Sequence, residues 1–215
     1  MYSIVCGDEV DLFTDPSRLI LAGCSGSGKT QLLTRLIKKY SHKFDKIISI
    51  GSDLPAIDGV KITRDDSFDP FDGDEFSKYS KHCLTIYDDI LGAGKQHLLN
   101  CSKLFIQGRH GNNKTQSFST VVVVQNLFCA EKGFRNLSLN ATHIFLFKNR
   151  DMRQIRIFAN SFLSKGNASK FIDLYNAVLN TKYSYLLIDF TKNVADILLL
   201  RGSVAGEGRE LVYKL

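Results

Sequence analysis

Eight consecutive residues, Gly23-Cys24-Ser25-Gly26-Ser27-Gly28-Lys29-Thr30, fit the pattern G-x-x-x-x-G-K-[ST] in full. Each residue type in that pattern has a task. Glycines let successive backbone N–H groups turn inward on an anion with no Cβ in the way. A helix that begins at Lys29 aims its positive end at the same place. Lys29 adds a point charge for the β- and γ-phosphates of a nucleotide, and Thr30 offers a hydroxyl to Mg²⁺. Cys24 and Ser25 occupy variable slots, where Cys24 reads as a small filler rather than a redox group. The expected ligand of residues 23–30 is therefore a nucleoside polyphosphate with Mg²⁺.

A second constellation complements the first. Leu84-Thr85-Ile86-Tyr87 ends in Asp88-Asp89, a short apolar run closed by two acids. Asp88 at such a strand tip is expected to hold Mg²⁺ through water. Asp89 is expected to take a proton from, or orient, an attacking water. Gln125 follows Val121-Val122-Val123-Val124. An amide there can reach a γ-phosphate and the lytic water, with Asn126 as the alternate residue for that role. Guanine-specific proteins carry N-K-x-D, but Lys148-Asn149-Arg150-Asp151 has the wrong order, and no glycine follows Asp88-Asp89 to give D-x-x-G. ATP is the expected nucleotide. His42, His82, His97, His110 and His143 form no metal-ligand spacing, and no Ser-His-Asp or Cys-His arrangement has local support.

These residues need a frame that brings them to one edge. Leu19–Ala22, Ile47–Ile50, Leu84–Tyr87, Val121–Val124, Ile144–Phe147 and Tyr185–Ile188 are short, continuously apolar runs. Such runs suit strands buried on both faces by helices. Leu32, Leu33, Leu36 and Ile37 recur at helical spacing after the glycine-rich loop. Further helices are expected over 96–104, 152–162 and 168–179, the last opened by Asn167 as its cap. Asp65 to Glu75 reads as an acidic surface loop, and Gly108 to Ser119 as a polar insert. Strands alternating with helices predict an α/β fold, three layers around a mainly parallel sheet.

Composition bounds the rest. A chain of 215 residues with 44% hydrophobic and 23% charged residues is a folded domain rather than a disordered or collagenous segment. One domain over 1–215 is the expectation. No apolar run reaches the ~18 residues of a membrane span. The first 15 residues contain Asp8, Glu9, Asp11 and Asp15 and no basic residue, the reverse of a secretory signal. Five cysteines without C-x-x-C spacing read as free thiols in a reducing, intracellular compartment. Net charge is +6, but it comes in blocks. Residues 17–49 hold seven basic residues against one acid, 51–75 hold two against eight, and 76–170 hold fourteen against four. Such blocks fit a face turned to a polyanion, or simply solvated surface of mixed sign.

Four segments together carry a resemblance. They are Leu104-Phe105-Ile106-Gln107-Gly108-Arg109-His110, Val121 to Phe128 with its Q-N-L-F ending, Arg135-Asn136-Leu137-Ser138-Leu139-Asn140, and Phe145-Leu146-Phe147-Lys148-Asn149. With Tyr183 to Asp189, the sequence over about 18–202 resembles the viral DNA-packaging ATPases of the FtsK–HerA superfamily. It is most similar to the type found in Polinton and adintovirus-like elements. The resemblance implies a core sheet of order 5-1-4-3-2 and a homo-oligomeric ring, a pentamer or hexamer, each site completed by an arginine from a neighbour. Arg109 matches the family's basic residue before the sensor strand and takes that role first, with Arg135 and Arg150 in reserve. The link from Gly111 to Ser119 is longer here than in relatives, and Asp89 stands where many motors have Glu.

The resemblance implies an ATP-driven motor that pushes double-stranded DNA of any sequence into a preformed capsid, with capsid vertex proteins as partners. Gly108 to Ser119, with Arg109 and Lys114, is the expected pore loop. An intracellular setting in a virus-infected cell is implied. Two other classes stay open at this point. One is a nucleoside or nucleotide kinase, with the polar insert as its lid. The other is an ATP-binding capsid-vertex scaffold without turnover.

Overall fold

A computed structural model of the chain describes residues 3–6, 11–13, 16–69, 82–90, 95–107, 117–126, 132–163, 165–191, 199–203 and 210–214. The apolar runs form strands where the sequence predicts them: β2 (Arg18–Ala22), β3 (Lys46–Ile50), β5 (His82–Asp88), β6 (Ser117–Val124), β7 (His143–Phe147) and β8 (Tyr185–Asp189). Four further strands were not expected: β1 (Ser3–Cys6), β4 (Ile62–Arg64), β9 (Leu199–Ser203) and β10 (Glu210–Lys214). The helices are α1 (Lys29–Tyr40), α2 (Lys95–Gln107), α3 (Lys132–Asn140), α4 (Met152–Phe162) and α5 (Lys165–Val178).

All ten strands join one sheet in the order β1-β10-β9-β8-β7-β2-β6-β5-β3-β4. Counted from the strand before the glycine-rich loop, the segment β7-β2-β6-β5-β3 reads 5-1-4-3-2, and its pairings are all parallel. The sheet is extended beyond this core on both sides. β4 adds in parallel to β3. Beyond β7, the strands β8, β9, β10 and β1 pair antiparallel in succession. The expectation of a mainly parallel sheet therefore holds, with the antiparallel pairings confined to the β8 side. Continuous apolarity signals burial on both faces but says nothing of direction.

Alternate residues of each core strand face opposite layers. Leu19 and Leu21 pack with Val121, Val123 and Phe145 against Leu32, Leu33, Leu36 and Ile37 of α1. Ile20 and Ala22 pack with Val122, Val124 and Ile144 against the other helices, through Leu104 and Phe105 of α2, Leu137 of α3, Phe158 of α4 and Phe171 of α5. Helices on both faces make the three layers. Leu19, Ile20 and Leu21 are completely buried, and each such side chain contributes about 1.5–3 kcal/mol. The strand that carries the glycine-rich loop is thus firmly anchored in the sheet.

Two local readings need correction. Ser117 to Ser119 are not part of a loop; they begin β6, and Ser119 and Thr120 are fully buried there. Thr120 Oγ1 accepts from Thr85 Oγ1 at 3.0 Å and Ser119 Oγ from the Ser17 N–H at 3.1 Å, so both hydroxyls have partners inside the sheet. The rest of the insert, 108–116, lies outside the described residues, as does the acidic stretch beyond residue 69. Asn167 does not cap a helix: α5 begins at Lys165, two residues earlier. Asp151 does act as a cap, its carboxylate accepting the Arg153 N–H at the start of α4. Among the described residues no helix is long and apolar enough to cross a membrane.

Candidate phosphate-binding cleft

Strand β2 ends at Ala22, and the chain turns at once through residues 23–28 into α1. The turn has no room for a side chain at its first glycine. A Cβ on Gly23 would sit 2.5 Å from Phe147 Cβ, so the loop lies directly on the end of β7. Gly26 and Gly28 adopt φ of 74° and 108°, conformations that cost most other residues about 1 kcal/mol or more. The loop is tied down on both sides. The Gly23 N–H donates to Val124 O on β6, and the Cys24 N–H to Lys148 O beyond β7. Cys24 Sγ also lies 3.2 Å from Lys148 O, in keeping with a structural filler.

Lys29 is buried, and its ammonium donates to Gly23 O at 2.6 Å and Cys24 O at 2.9 Å. Burial lowers its pKa, while the negative charges of Asp88 and Asp89 oppose that shift. An ammonium has three donors. Two are spoken for by the loop, which orients the head group, and the third can meet a phosphate oxygen.

Asp88 closes β5 and Asp89 follows it, exposed, at φ 52°. Aspartate tolerates this left-handed region better than most residues, and non-glycine residues held there cluster at functional sites. Asp88 is fixed from β3. Ser52 Oγ donates to its Oδ2 at 2.5 Å. Gly51, at φ 99°, lies so close that a Cβ there would come within 2.3 Å of the Asp88 carbonyl oxygen. The Gly51 N–H donates in turn to Asp66 Oδ1, and Arg64 pairs with Asp66 and Asp53. This bond and the adjacent guanidinium hold the Asp66 carboxyl below its ordinary value. Sequence reasoning missed Gly51 and Ser52 as parts of the site. The available signal was their place directly after a β-branched run, at the carboxyl end of a parallel strand, where such folds bind ligands.

One cleft of about 340 Å³ gathers these groups, a volume within the ~300–1,000 Å³ range of small-molecule sites. It is lined by Ser25, Gly26, Gly28, Lys29 and Thr30 from the loop and helix, by Asp88 and Asp89 from β5, and by Gln125 from β6. Tyr183, which the motif reading did not single out, completes the lining from the turn before β8. Gly23, Cys24 and Ser27 of the loop do not line the cleft. Arg109 lies outside the described residues. Arg135 falls in α3, and Arg150 is exposed in the turn after β7. Lys29 is the one cation among the described residues that line the cleft.

No protein-family model matches the sequence, and no curated protein sequence matches it. Solved structures do match. The DNA-packaging ATPase B204 of Sulfolobus turreted icosahedral virus superposes with a TM-score of 0.57 at 13% identity, over 89% of this chain and 98% of that one. The genome-packaging NTPase B204 of Sulfolobus turreted icosahedral virus 2, in complex with ATPγS, gives 0.51 at 16% identity, over 82% and 94%. The cytoplasmic domain of the type VII secretion ATPase EccC from Thermomonospora curvata gives 0.55 at 13% identity, over 93% of this chain and 25% of that one. The chain has the fold of these P-loop ATPases, and they include the viral packaging type that its sequence resembles.

Proposed function

We propose that the chain is a single ATPase domain over residues 1–215. Its hydrolysis of ATP would drive double-stranded DNA into a preformed viral capsid. The observation that carries this reading is the convergence in one cleft of Lys29 and Thr30 with Asp88, Asp89 and Gln125, from three neighbouring strands of one sheet. The fold shared with two viral packaging ATPases supports the motor rather than the kinase class.

The residues present fit a nucleotide with Mg²⁺. Inward-turned amides, a helix N-terminus and Lys29 suit the phosphates. The Thr30 hydroxyl and the Asp88 carboxylate are the hard oxygen donors that Mg²⁺ takes while keeping several waters. When bound, the ion would offset charge on the β- and γ-phosphate oxygens. Asp88 holds its direction because Ser52 donates to it and Gly51 packs beneath it. Asp89 orients the attacking water and takes its proton, and the Gln125 amide positions that water from the other side. The charge that develops on the transferred group needs a cation besides Lys29. Arg109 of a neighbouring subunit supplies it, with Arg135 and Arg150 as the next choices, in a ring of five or six copies. Contacts to DNA run to phosphates through the basic segment around Arg109 and Lys114, because a packaging motor must accept any sequence. Capsid vertex proteins anchor the ring.

ATP turnover by the full-length chain, with and without DNA of unrelated sequences, tests the proposal. Stimulation severalfold by any duplex is expected. Turnover only with a nucleoside acceptor would make it a kinase, and tight ATP binding without turnover a scaffold. Mixing Lys29→Ala with Arg109→Ala subunits should restore part of the activity that each lacks alone, since the intact site of one receives the arginine of the other. A mixture that stays inactive while wild-type rings form removes Arg109 from the role.

A further inference from the structure

The cleft has two flanks. Asp88, Asp89 and Gln125 mark one, at the ends of β5 and β6, and these are groups for the terminal phosphate. The other flank lies across Gly28, toward β7 and β8. A nucleotide holds its base at the end opposite its terminal phosphate, so the base belongs on that second flank. There the structure has Tyr183, the one aromatic among the described residues that line the cleft.

Tyr183 has the marks of a residue kept for a ligand rather than for the core. The residue is 41% exposed, in a chain whose other large aromatics with described side chains are mostly buried. Its backbone is at φ 65°, a conformation that is an outlier for a bulky residue and costs of order 1–3 kcal/mol. The surroundings enforce it. Ser184 is buried, and its Oγ donates to Thr181 O at 2.6 Å, closing the turn behind Tyr183. On the cleft side the ring stands against Gly28, where an added Cβ would lie 3.1 Å from Tyr183 Cδ1. The Lys182 ammonium lies 4.8 Å above the ring centroid. An exposed pair of this kind is weak enough for a stacked base to displace.

We propose that Tyr183 is the base platform of the site: its ring stacks on the purine of the bound nucleotide and contributes affinity that the phosphates do not. The assignment rests on the nucleotide-binding reading above. It is separable from it, because the triphosphate chain can be offered without a base.

Binding of Mg-ATP and of Mg-tripolyphosphate to the full-length chain, measured by calorimetry, tests it. Wild type should prefer ATP. Tyr183→Ala should weaken ATP about tenfold, the magnitude of one lost base–aromatic stack, and leave tripolyphosphate unchanged. Tyr183→Phe should behave as wild type toward both. Equal loss of ATP and tripolyphosphate in Tyr183→Ala would make Tyr183 a prop for the Gly28 loop and overturn the proposal. No loss of either would also overturn it. A wild-type chain that binds tripolyphosphate as well as ATP keeps the phosphate cleft but removes the platform, and one that binds neither removes both. The chain contains no tryptophan, so Tyr183→Trp places a sole indole in the cleft and decides the matter even if Tyr183→Ala fails to fold. Its fluorescence should be quenched by ATP and not by tripolyphosphate. The same response to both, or to neither, rejects stacking.

Discussion

The two ends of the parallel strands are built on different terms. At the carboxyl end, where β2, β3, β5 and β6 give way to loops, the backbone is forced into uncommon shapes. Six described residues have positive φ, and five of them, Gly26, Gly28, Gly51, Asp89 and Tyr183, surround the candidate cleft or brace Asp88. Thr30, Asp89 and Gln125 there are exposed to solvent. At the amino end the polar groups are turned on each other. The Arg18 N–H donates to Thr142 Oγ1, Thr142 donates back to Arg18 O, and the Ser17 N–H donates to Ser119 Oγ. His143 and Asp189, register partners on β7 and β8, lie buried 3.6 Å apart. One end spends conformational energy to present groups to a ligand; at the other, bonds run between neighbouring strands, although among the described residues the buried His82 Nε2 and Asp189 Oδ2 have no hydrogen-bond partner. Mutations at the first should change ligand chemistry more than stability, and at the second the reverse.

The sharpest test of that division is at Asp89 and Asp88. Asp89→Asn keeps shape and removes the proposed base, so turnover should fall by ~10² or more with nucleotide binding nearly intact. Asp88→Asn should instead weaken Mg²⁺-dependent binding. Steady-state rates beside direct binding curves separate the two, and identical behaviour would refute the separate roles.

Gly51→Ala should come next. The new Cβ meets the Asp88 carbonyl at 2.3 Å in a conformation that already disfavours alanine, so a cost of about 1–3 kcal/mol is expected. Because the obstacle is the backbone of Asp88, Mg²⁺-dependent nucleotide affinity should drop along with the melting temperature. A loss of stability alone would mean that Asp88 is not positioned through this contact.

At the opposite end, Asp189→Ala removes the acceptor for the Thr191 N–H and hydroxyl, at 2.8 and 2.5 Å. Thr191 is exposed, so water can take the place of the acceptor and each lost bond costs about 0.5–1.5 kcal/mol net, visible in denaturant unfolding, while ATP affinity should stay within twofold. A large loss of affinity would show the two ends to be coupled.

The smallest effect concerns pH. His82 opens β5, at the amino end, and burial lowers its pKa below the ordinary histidine value, against the pull of Asp45. The unfolded chain therefore takes up this proton first as pH falls below about 6.5. The contribution of His82 to stability is fully present above that pH and is lost as pH drops toward the folded-state pKa. Melting temperatures at pH 7.5 and 5.5 should show a decline that His82→Gln reduces; an unchanged slope would assign the decline to other groups.

Much of the molecule was legible in the sequence because local chemistry dictated it. The spacing of residues 23–30 demands a strand, a tight turn and a helix whatever surrounds them. Continuous apolar runs ending in Asp88-Asp89 and in Gln125-Asn126 can be little else than buried strands with polar tips. The helix over 152–162 was read from the sequence, and the structure added Asp151 as its cap. What the sequence could not determine is which strands lie side by side and in which direction, since those depend on contacts between residues far apart in the chain. The reversal of β8 is the case with the largest consequence. Because β8 runs antiparallel to β7, its beginning rather than its end falls at the cleft edge, and only so does Tyr183 come to stand against Gly28. Ser52 likewise gained its role when β3 and β5 were laid in parallel register with Ile50 beside Tyr87, which brings a hydroxyl 36 positions away to the Asp88 carboxylate. Motif spacing carries the phosphate loop because its parts are neighbours in the chain; the groups that steer and select were set by the packing of the sheet.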